Sequence, residues 1–289
     1  MMIVFNPVAG RRRAQLLWRV LDVLVANGVR LDLAETHRPG HASELAREAA
    51  SRGEPMVVAA GGDGTIAEVA NGLIGSHTHL GVIPLGTANV LAHELGLPFS
   101  PTAVAAALAF GRTVQLWPGQ IMRDQEARLF VQMAGIGFDA AVVHNLRFSL
   151  KKVFGKGAYV MQSLREMARY DFPMIRLRID DRETEAASIV ISKGRLYGGT
   201  FPLARDTNPS ARGFSVVLFD RAGPAAAALY GAMLPMHLLG SAPGVRHMRA
   251  AEIDFLGNVH VPTQTDGDPA GFMPHRIRDA RAPIQVVAG

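Results

Sequence analysis

The stretch Met56-Val57-Val58-Ala59-Ala60-Gly61-Gly62-Asp63-Gly64-Thr65 decides how the first hundred residues fold. Its continuous apolar run suits a central parallel strand covered on both faces. Glycines end the run, and Ile66, Val69, Ala70, Leu73 and Ile74 then recur at helical spacing. A strand that breaks on glycine into a helix gathers backbone N–H groups at one point, with the positive end of the helix dipole behind them. Without a Cβ in the way, an anion can approach that backbone closely. Asp63 repels a bare phosphate, so the loop suits an anion that carries a divalent cation or faces a hydrogen-bonded hydroxyl. The same residues also suit a tight turn in which Asp63 or Thr65 caps the helix.

Working outward, strand and helix signals alternate. Ile3-Val4-Phe5 reads as a buried strand ended by Asn6-Pro7, and Leu16, Leu17, Val20, Leu21 and Leu24 follow at helical spacing. Val29 to Glu35 alternates as a half-buried strand does, and Gly40 to Ala50 reads as loop and helix. Leu80 to Ile83 is a further strand, with helices expected over Ala88 to Leu95 and Ala103 to Phe110. This predicts a doubly wound α/β domain. Past Thr113 the signals become short and strand-like, at 113–117, 128–134, 174–180, 187–192, 213–219, 251–256 and 258–261. Helical stretches near 150–169 and 224–239 interrupt them, which predicts a β-rich, antiparallel sandwich as second domain. The division falls at 1–118 and 119–289, and the last apolar segment, Ile284 to Val287, can pair in either domain.

Composition narrows the function classes. An apolar share of 48% and a charged share of 19% over 289 residues describe a folded chain. With no cysteine there are no disulfides, thiolate nucleophiles or zinc–sulfur sites. A formal charge of +5 favours anionic partners. Only Arg11-Arg12-Arg13 forms a basic run, so no nucleic-acid partner is expected. The chain opens directly on strand-like residues without a signal-type segment, which points to a cytoplasmic protein. The uncharged stretch Ala222 to Val245 is long enough for a membrane span, but its glycines and prolines favour a buried or lipid-facing helix.

Two more loops leave strands of the same sheet, Asn6-Pro7-Val8-Ala9-Gly10 and Pro84-Leu85-Gly86-Thr87-Ala88-Asn89. Ligands of open α/β sheets bind outside the carboxyl ends of the strands, where such loops converge. There is no G-x-x-x-x-G-K-[ST] and no G-x-G-x-x-G after the first strand, so neither a standard P-loop nor a dinucleotide fold is indicated.

In order along the chain stand Asn6-Pro7-x-x-Gly10, Thr36-x-x-x-Gly40-His41-Ala42, Gly61-Gly62-Asp63-Gly64-Thr65 and Gly86-Thr87-Ala88-Asn89. Gly135-Ile136-Gly137-Phe138-Asp139-Ala140, Tyr197-Gly198-Gly199 and Asp266-Gly267-Asp268 follow. Together they resemble the diacylglycerol kinase catalytic family, which includes sphingosine and ceramide kinases. The resemblance implies an α/β nucleotide domain like those of NAD kinases and phosphofructokinases, and a β-rich lipid-binding domain. It implies that Gly61, Gly62, Asp63, Gly64 and Thr65 hold the phosphates of ATP, with Asp63 placing Mg²⁺. Asn6, Thr36, Gly86, Thr87 and Asn89 line the nucleotide site in this reading, and Asp268, with Asp266 beside it, orients and deprotonates the attacking hydroxyl. Phosphoryl transfer has the same needs independently of the family: neutralised phosphates, an in-line hydroxyl and a nearby carboxylate. The expected activity is ATP-dependent transfer to a lipid hydroxyl such as that of diacylglycerol or a sphingoid-type lipid. A kinase for a soluble acceptor and a non-catalytic sensor are the alternatives.

Two positions depart from the family pattern. Asp268 stands where glutamate is usual and is one methylene shorter. Pro209-Ser210-Ala211-Arg212-Gly213 stands where an acidic pair usually holds a structural Mg²⁺, so that metal is expected to be missing, with the Arg212 guanidinium replacing its charge. On the lipid side, Arg147, Lys151, Lys152 and Lys156 alternate with Phe148, Leu150, Val153 and Phe154. That pattern fits transient contact with an anionic membrane surface, and equally a solvated cationic helix edge. The helix from Ala225 to Leu239 suits either an acyl-chain pocket or plain core. Peripheral membrane association and a homodimer are both compatible with the sequence.

Overall fold

The computed structural model describes residues 1–8, 14–123, 126–146, 156–204, 206–257 and 260–289. Gly10, Arg11 to Arg13 and the basic segment from Arg147 to Phe154 lie outside them, as does the side chain of Lys156. The chain separates into two compact units, Met1–Pro118 with Ala280–Gly289, and Gly119–Asp279.

Unit 1 is a six-stranded sheet flanked by helices. Four parallel strands run in the order β2 (Asp32–Glu35), β1 (Met2–Phe5), β3 (Met56–Gly61) and β4 (His79–Pro84). β5 (Thr113–Leu116) forms the far edge, and β20 (Ile284–Val287) lies between β4 and β5, parallel to the first and antiparallel to the second. The last apolar segment therefore returns to the first sheet. Side chains in β1 and β3 alternate between two covered faces. Ile3, Phe5, Val58 and Ala60 join Leu17, Val20, Leu21 and Leu24 of α1 (Ala14–Ala26) and Val104, Ala105 and Leu108 of α5 (Pro101–Phe110) in one buried cluster. α2 (His41–Ser51) and α3 (Asp63–Leu73) pack against each other, and α4 (Val90–Glu94) is a short helix after β4. Hydrophobic residues on both faces account for the uninterrupted apolar run of β3.

Unit 2 is a sandwich of two antiparallel six-stranded sheets. One runs β10 (Arg182–Ala186), β9 (Ile175–Ile179), β16 (Glu252–Leu256), β19 (Arg276–Asp279), β6 (Gly119–Arg123) and β7 (Glu126–Phe130). The other runs β15 (Val245–Ala250), β14 (Phe214–Phe219), β11 (Ser188–Ser192), β8 (Met133–Gly137), β17 (Pro262–Thr265) and β18 (Asp268–Phe272). Inward residues of both sheets, among them Phe130, Ile136, Leu177, Ile189, Phe214, Ile253 and Ile277, form one buried core. A short hairpin joins β12 (Leu196–Tyr197) to β13 (Phe201–Pro202). The helices are α6 (Phe138–Asn145), α7 (Lys156–Met167) and α8 (Pro224–Met233).

Several expected boundaries shift. The strand read over 128–134 is the end of β7, a turn at Val131-Gln132 and the start of β8. The strand read over 258–261 appears as β17 from Pro262, residues 258 and 259 lying outside the described set. The helix read over 224–239 stops at Met233, followed by a turn and a 3₁₀ turn at Leu239–Ser241. Among the described residues no helix is long and apolar enough to cross a membrane.

Candidate functional site

In unit 1 the strand order brings the carboxyl ends of β2, β1, β3 and β4 to one edge of the sheet. Thr36, Asn6, Gly61 to Thr65 and Gly86 to Asn89 follow those four ends in turn. Backbone bonds hold the edge together: Thr36 N–H donates to the Phe5 carbonyl at 2.8 Å, Asn6 N–H to Ala60 at 3.0 Å and Leu85 N–H to Gly61 at 2.9 Å. Asn6 Nδ2 donates to Thr65 Oγ1 at 3.1 Å, while its Oδ1 accepts the Val8 N–H at 3.0 Å. The first loop is thereby tied to the start of α3.

The glycine loops after β3 and β4 touch backbone to backbone. A Cβ built on Gly86 would stand 2.6 Å from the Gly62 Cα and 2.7 Å from Asn89 Oδ1, so no larger residue fits there. Asn89 adopts a left-handed conformation at φ 48°, and its Nδ2 donates to the Gly86 carbonyl at 2.9 Å. Its Oδ1 is buried and has no hydrogen-bond partner among the described residues. Asp63 opens α3, and its Oδ1 accepts the Leu91 N–H at 3.4 Å. Burial pushes its carboxyl pKa up, against the opposing pull of the Leu91, Val90 and Asn89 amides. Thr87 is exposed at the loop tip. The first turn of α3 leaves N–H groups outside the helical ladder at this same edge, a favourable place for phosphate oxygens.

Glu68 escaped the sequence reading. Its two oxygens accept the Gly40 N–H at 2.9 Å and the Ala42 N–H at 3.2 Å, so α3 carries the loop that leads from Thr36 into α2. Its only sequence signal is a carboxylate one turn after the glycine cluster.

In unit 2, Asp266 and Gly267 take φ values of 50° and 82° between the paired residues Thr265 and Asp268. This is a two-residue hairpin turn with both central residues left-handed, for which Asp-Gly is a favoured pair. The Asp266 carboxylate accepts three backbone bonds, from Val131 at 2.8 Å, Gln132 at 2.8 Å and Met133 at 3.0 Å. It thus fastens the β17–β18 turn onto the β7–β8 turn. Asp268 is the first residue of β18 and half-buried. The Gln132 side chain is buried beside Asp266, and neither end of its amide has a partner among the described residues.

The Ala211-Arg212 loop corrects one expectation. Arg212 is 70% exposed, with its Nε 3.8 Å from Asp279 Oδ2. The buried charge is Lys193, fully enclosed, whose Nζ donates to the Ala211 carbonyl at 3.1 Å, the Gly213 carbonyl at 2.8 Å and Asp279 Oδ1 at 2.8 Å. Its ammonium also lies 4.8 Å from the centre of the Phe214 ring. Burial lowers the Lys193 pKa, while Asp279 works against that shift.

An α/β unit with glycine loops at the carboxyl edge of its sheet, joined in one chain to an antiparallel sandwich, is the pair of domains that two family matches describe. The chain belongs to the diacylglycerol kinase family: residues 1–121 match the "Diacylglycerol kinase catalytic domain" and residues 132–288 the "YegS C-terminal NAD kinase beta sandwich-like domain". It is 26% identical to a diacylglycerol kinase of Bacillus subtilis (strain 168), over 99% of this chain and 95% of that one. It is 34% identical to a "Probable lipid kinase YegS-like" of Pseudomonas aeruginosa PAO1, over 60% of this chain and 57% of that one. A crystal structure of a diacylglycerol kinase from Bacillus anthracis str. Sterne covers 100% of this chain and is itself covered to 96%, with a TM-score of 0.72 at 18% identity, a likeness of fold.

Proposed function

We propose that this protein transfers the γ-phosphate of ATP to the hydroxyl of a membrane lipid, diacylglycerol or a sphingoid-type lipid. The observation that carries the reading is the contact of Gly62 with Gly86 beside the start of α3 and the unpartnered Asn89 Oδ1. The two loop backbones meet with no Cβ between them, as a backbone cradle for phosphate requires. Residues 1–118 with the returning strand hold the nucleotide in this reading, and residues 119–279 hold the lipid.

The donor set suits Mg²⁺ brought by the nucleotide. Among the described residues no three His, Asp or Glu side chains cluster as a metal cage, and Mg²⁺ is commonly held by one or two carboxylates together with substrate phosphates. Asp63 is the carboxylate at the cradle, and the ion would supply charge neutralisation on the phosphates there. The amides at the start of α3 hold phosphate oxygens, Asn6 and Asn89 fix the flanking loops, and Asp268 takes the proton of the attacking hydroxyl. Transfer is direct, with the lipid presented by a peripherally bound enzyme at a cytoplasmic membrane face.

The test is transfer of labelled phosphate from ATP to a lipid library, with the products identified by mass. Asp63→Ala and Asp268→Ala should each reduce transfer by about a hundredfold or more, the scale expected when a charge-stabilising or proton-accepting group is lost. Normal turnover in both variants would defeat the reading. Turnover confined to soluble alcohols would move the acceptor away from lipid.

A further inference from the structure

Three stretches that stand apart in the sequence meet at one buried carboxylate. Asp139 is the second residue of α6, which is also fastened to β17 by a 2.8 Å hydrogen bond between His144 Nε2 and the Thr263 carbonyl. Asp139 Oδ1 accepts the hydroxyl of Tyr197, from the Tyr197-Gly198-Gly199 stretch. Asp139 Oδ2 accepts Gln264 Nε2 at 2.9 Å, and Gln264 Oε1 accepts the Gly267 N–H at 2.8 Å. Gly267 is the second residue of the hairpin turn, immediately before Asp268. Gly135, across the β8–β17 pairing from Gln264, leaves the space for this link. A Cβ there would run into Asp139 Oδ2 and stand 2.7 Å from Gln264 Nε2.

We infer that Asp139 is a positioning residue for phosphoryl transfer, setting the Asp266-Gly267 turn and hence Asp268 through the Gln264 amide. The inference rests on Asp268 acting as the base. A buried carboxylate is costly to desolvate, and an apolar side chain of similar size would often serve stability as well or better. What the carboxylate adds is direction. It fixes which end of the Gln264 amide faces α6, and so aims the carbonyl end at the Gly267 N–H. A fully satisfied buried network of this kind holds its members in one geometry. Burial pushes the Asp139 pKa up, and the bonds from Tyr197 and Gln264 oppose that shift.

The donor–acceptor order gives a test that separates positioning from simple stability. Asp139→Leu removes the acceptor that holds Gln264 Nε2, which Asp139→Asn alone does not, since its amide can turn to accept from Gln264 and donate to the Tyr197 hydroxyl oxygen. Gln264→Glu sets two carboxylates face to face. The double variant Asp139→Asn with Gln264→Glu restores every bond. The amide at position 139 still accepts from Tyr197 through its oxygen and now donates through its nitrogen to the carboxylate at position 264. The other oxygen of that carboxylate accepts the Gly267 N–H. Three readouts are taken on the full chain: the kcat and KM for phosphate transfer from ATP to diacylglycerol in phosphatidylglycerol vesicles, amide exchange over residues 262–269, and the thermal midpoint. Asp139→Leu and Gln264→Glu should each lower kcat by about tenfold to a hundredfold with little change in KM for ATP, the scale of a misplaced catalytic group, and should speed exchange of the Gly267 amide. The double variant should recover both. Wild-type exchange at Gly267 in both single variants would overturn the link, as would a double variant that melts like wild type yet stays as slow as the singles. Full turnover by Asp268→Ala would instead overturn the catalytic reading of the turn, so the two failures are told apart.

Discussion

Lys193 follows Ile189-Val190-Ile191-Ser192, and at the end of an apolar strand a lysine ordinarily reaches for water. Here it is wholly enclosed, and its ammonium ties the 211–213 loop to the end of β19. In the sequence the loop carries no acidic pair, and Arg212 is its evident cation. The cation actually enclosed comes from a residue nineteen positions earlier, a pairing that only the antiparallel sheet creates. Replacing it without replacing Asp279 takes the ammonium from Asp279 Oδ1 and from two carbonyls, leaving that carboxylate with the Gly213 N–H and the more distant Arg212. Lys193→Met should therefore cost about 3–5 kcal/mol, as loss of one partner of a buried ion pair does. Urea unfolding monitored by circular dichroism would show it as a lowered midpoint, and an unchanged midpoint would mean that the ammonium contributes nothing net. Asp266 teaches the same lesson. Asp266-Gly267 is readable as a turn from its residue types, but the amides it accepts lie more than 130 positions away.

At the level of elements, the legible parts are those whose periodicity is unambiguous. α1 and β3 were readable because helical spacing fits a one-sided helix and a short apolar run between turn residues fits a strand covered on two faces. The sandwich was less so. The strand-like stretch 128–134 hides the Val131-Gln132 turn, because the Asp266 carboxylate satisfies the amides of that turn and no glycine or proline marks it. β15 was missed because Arg246, His247 and Arg249 break its apolar pattern, as suits a strand at the edge of its sheet. The loops after β3 and β4 act as a pair, since Gly62 and Gly86 meet through their backbones. Gly86→Ala should part those loops while leaving the sheet intact. We expect ATP affinity to fall by at least about tenfold, near 1.4 kcal/mol, with a thermal midpoint close to wild type. Calorimetric titration would measure it, and wild-type affinity would show that the contact is dispensable for the nucleotide.

For the molecule as a whole, unit 2 is inserted in the chain between β5 and β20 of unit 1. The Ala280 N–H donates to the Pro118 carbonyl at 2.8 Å where the chain leaves and rejoins unit 1. The two-domain plan was legible from the change of pattern near Thr113, but the return was not, because Ile284 to Val287 is apolar enough for either sheet. Ending the chain after Asp279 removes the strand that joins β4 to β5, so unit 1 should lose cooperative unfolding and become sensitive to limited proteolysis near β5 and α5. Persistence of a sharp unfolding transition for unit 1 would contradict this. The insertion also orders events during synthesis. The ribosome releases β4 and β5 with the seam between them open, and must then make all of unit 2 before the closing strand exists. Val286 pairs with Leu80 across more than two hundred intervening residues, a contact of the kind that forms slowly. Nascent unit 1 therefore waits, incomplete, with apolar strand edges uncovered, and it should lean on cellular chaperones until β20 is made and seals it.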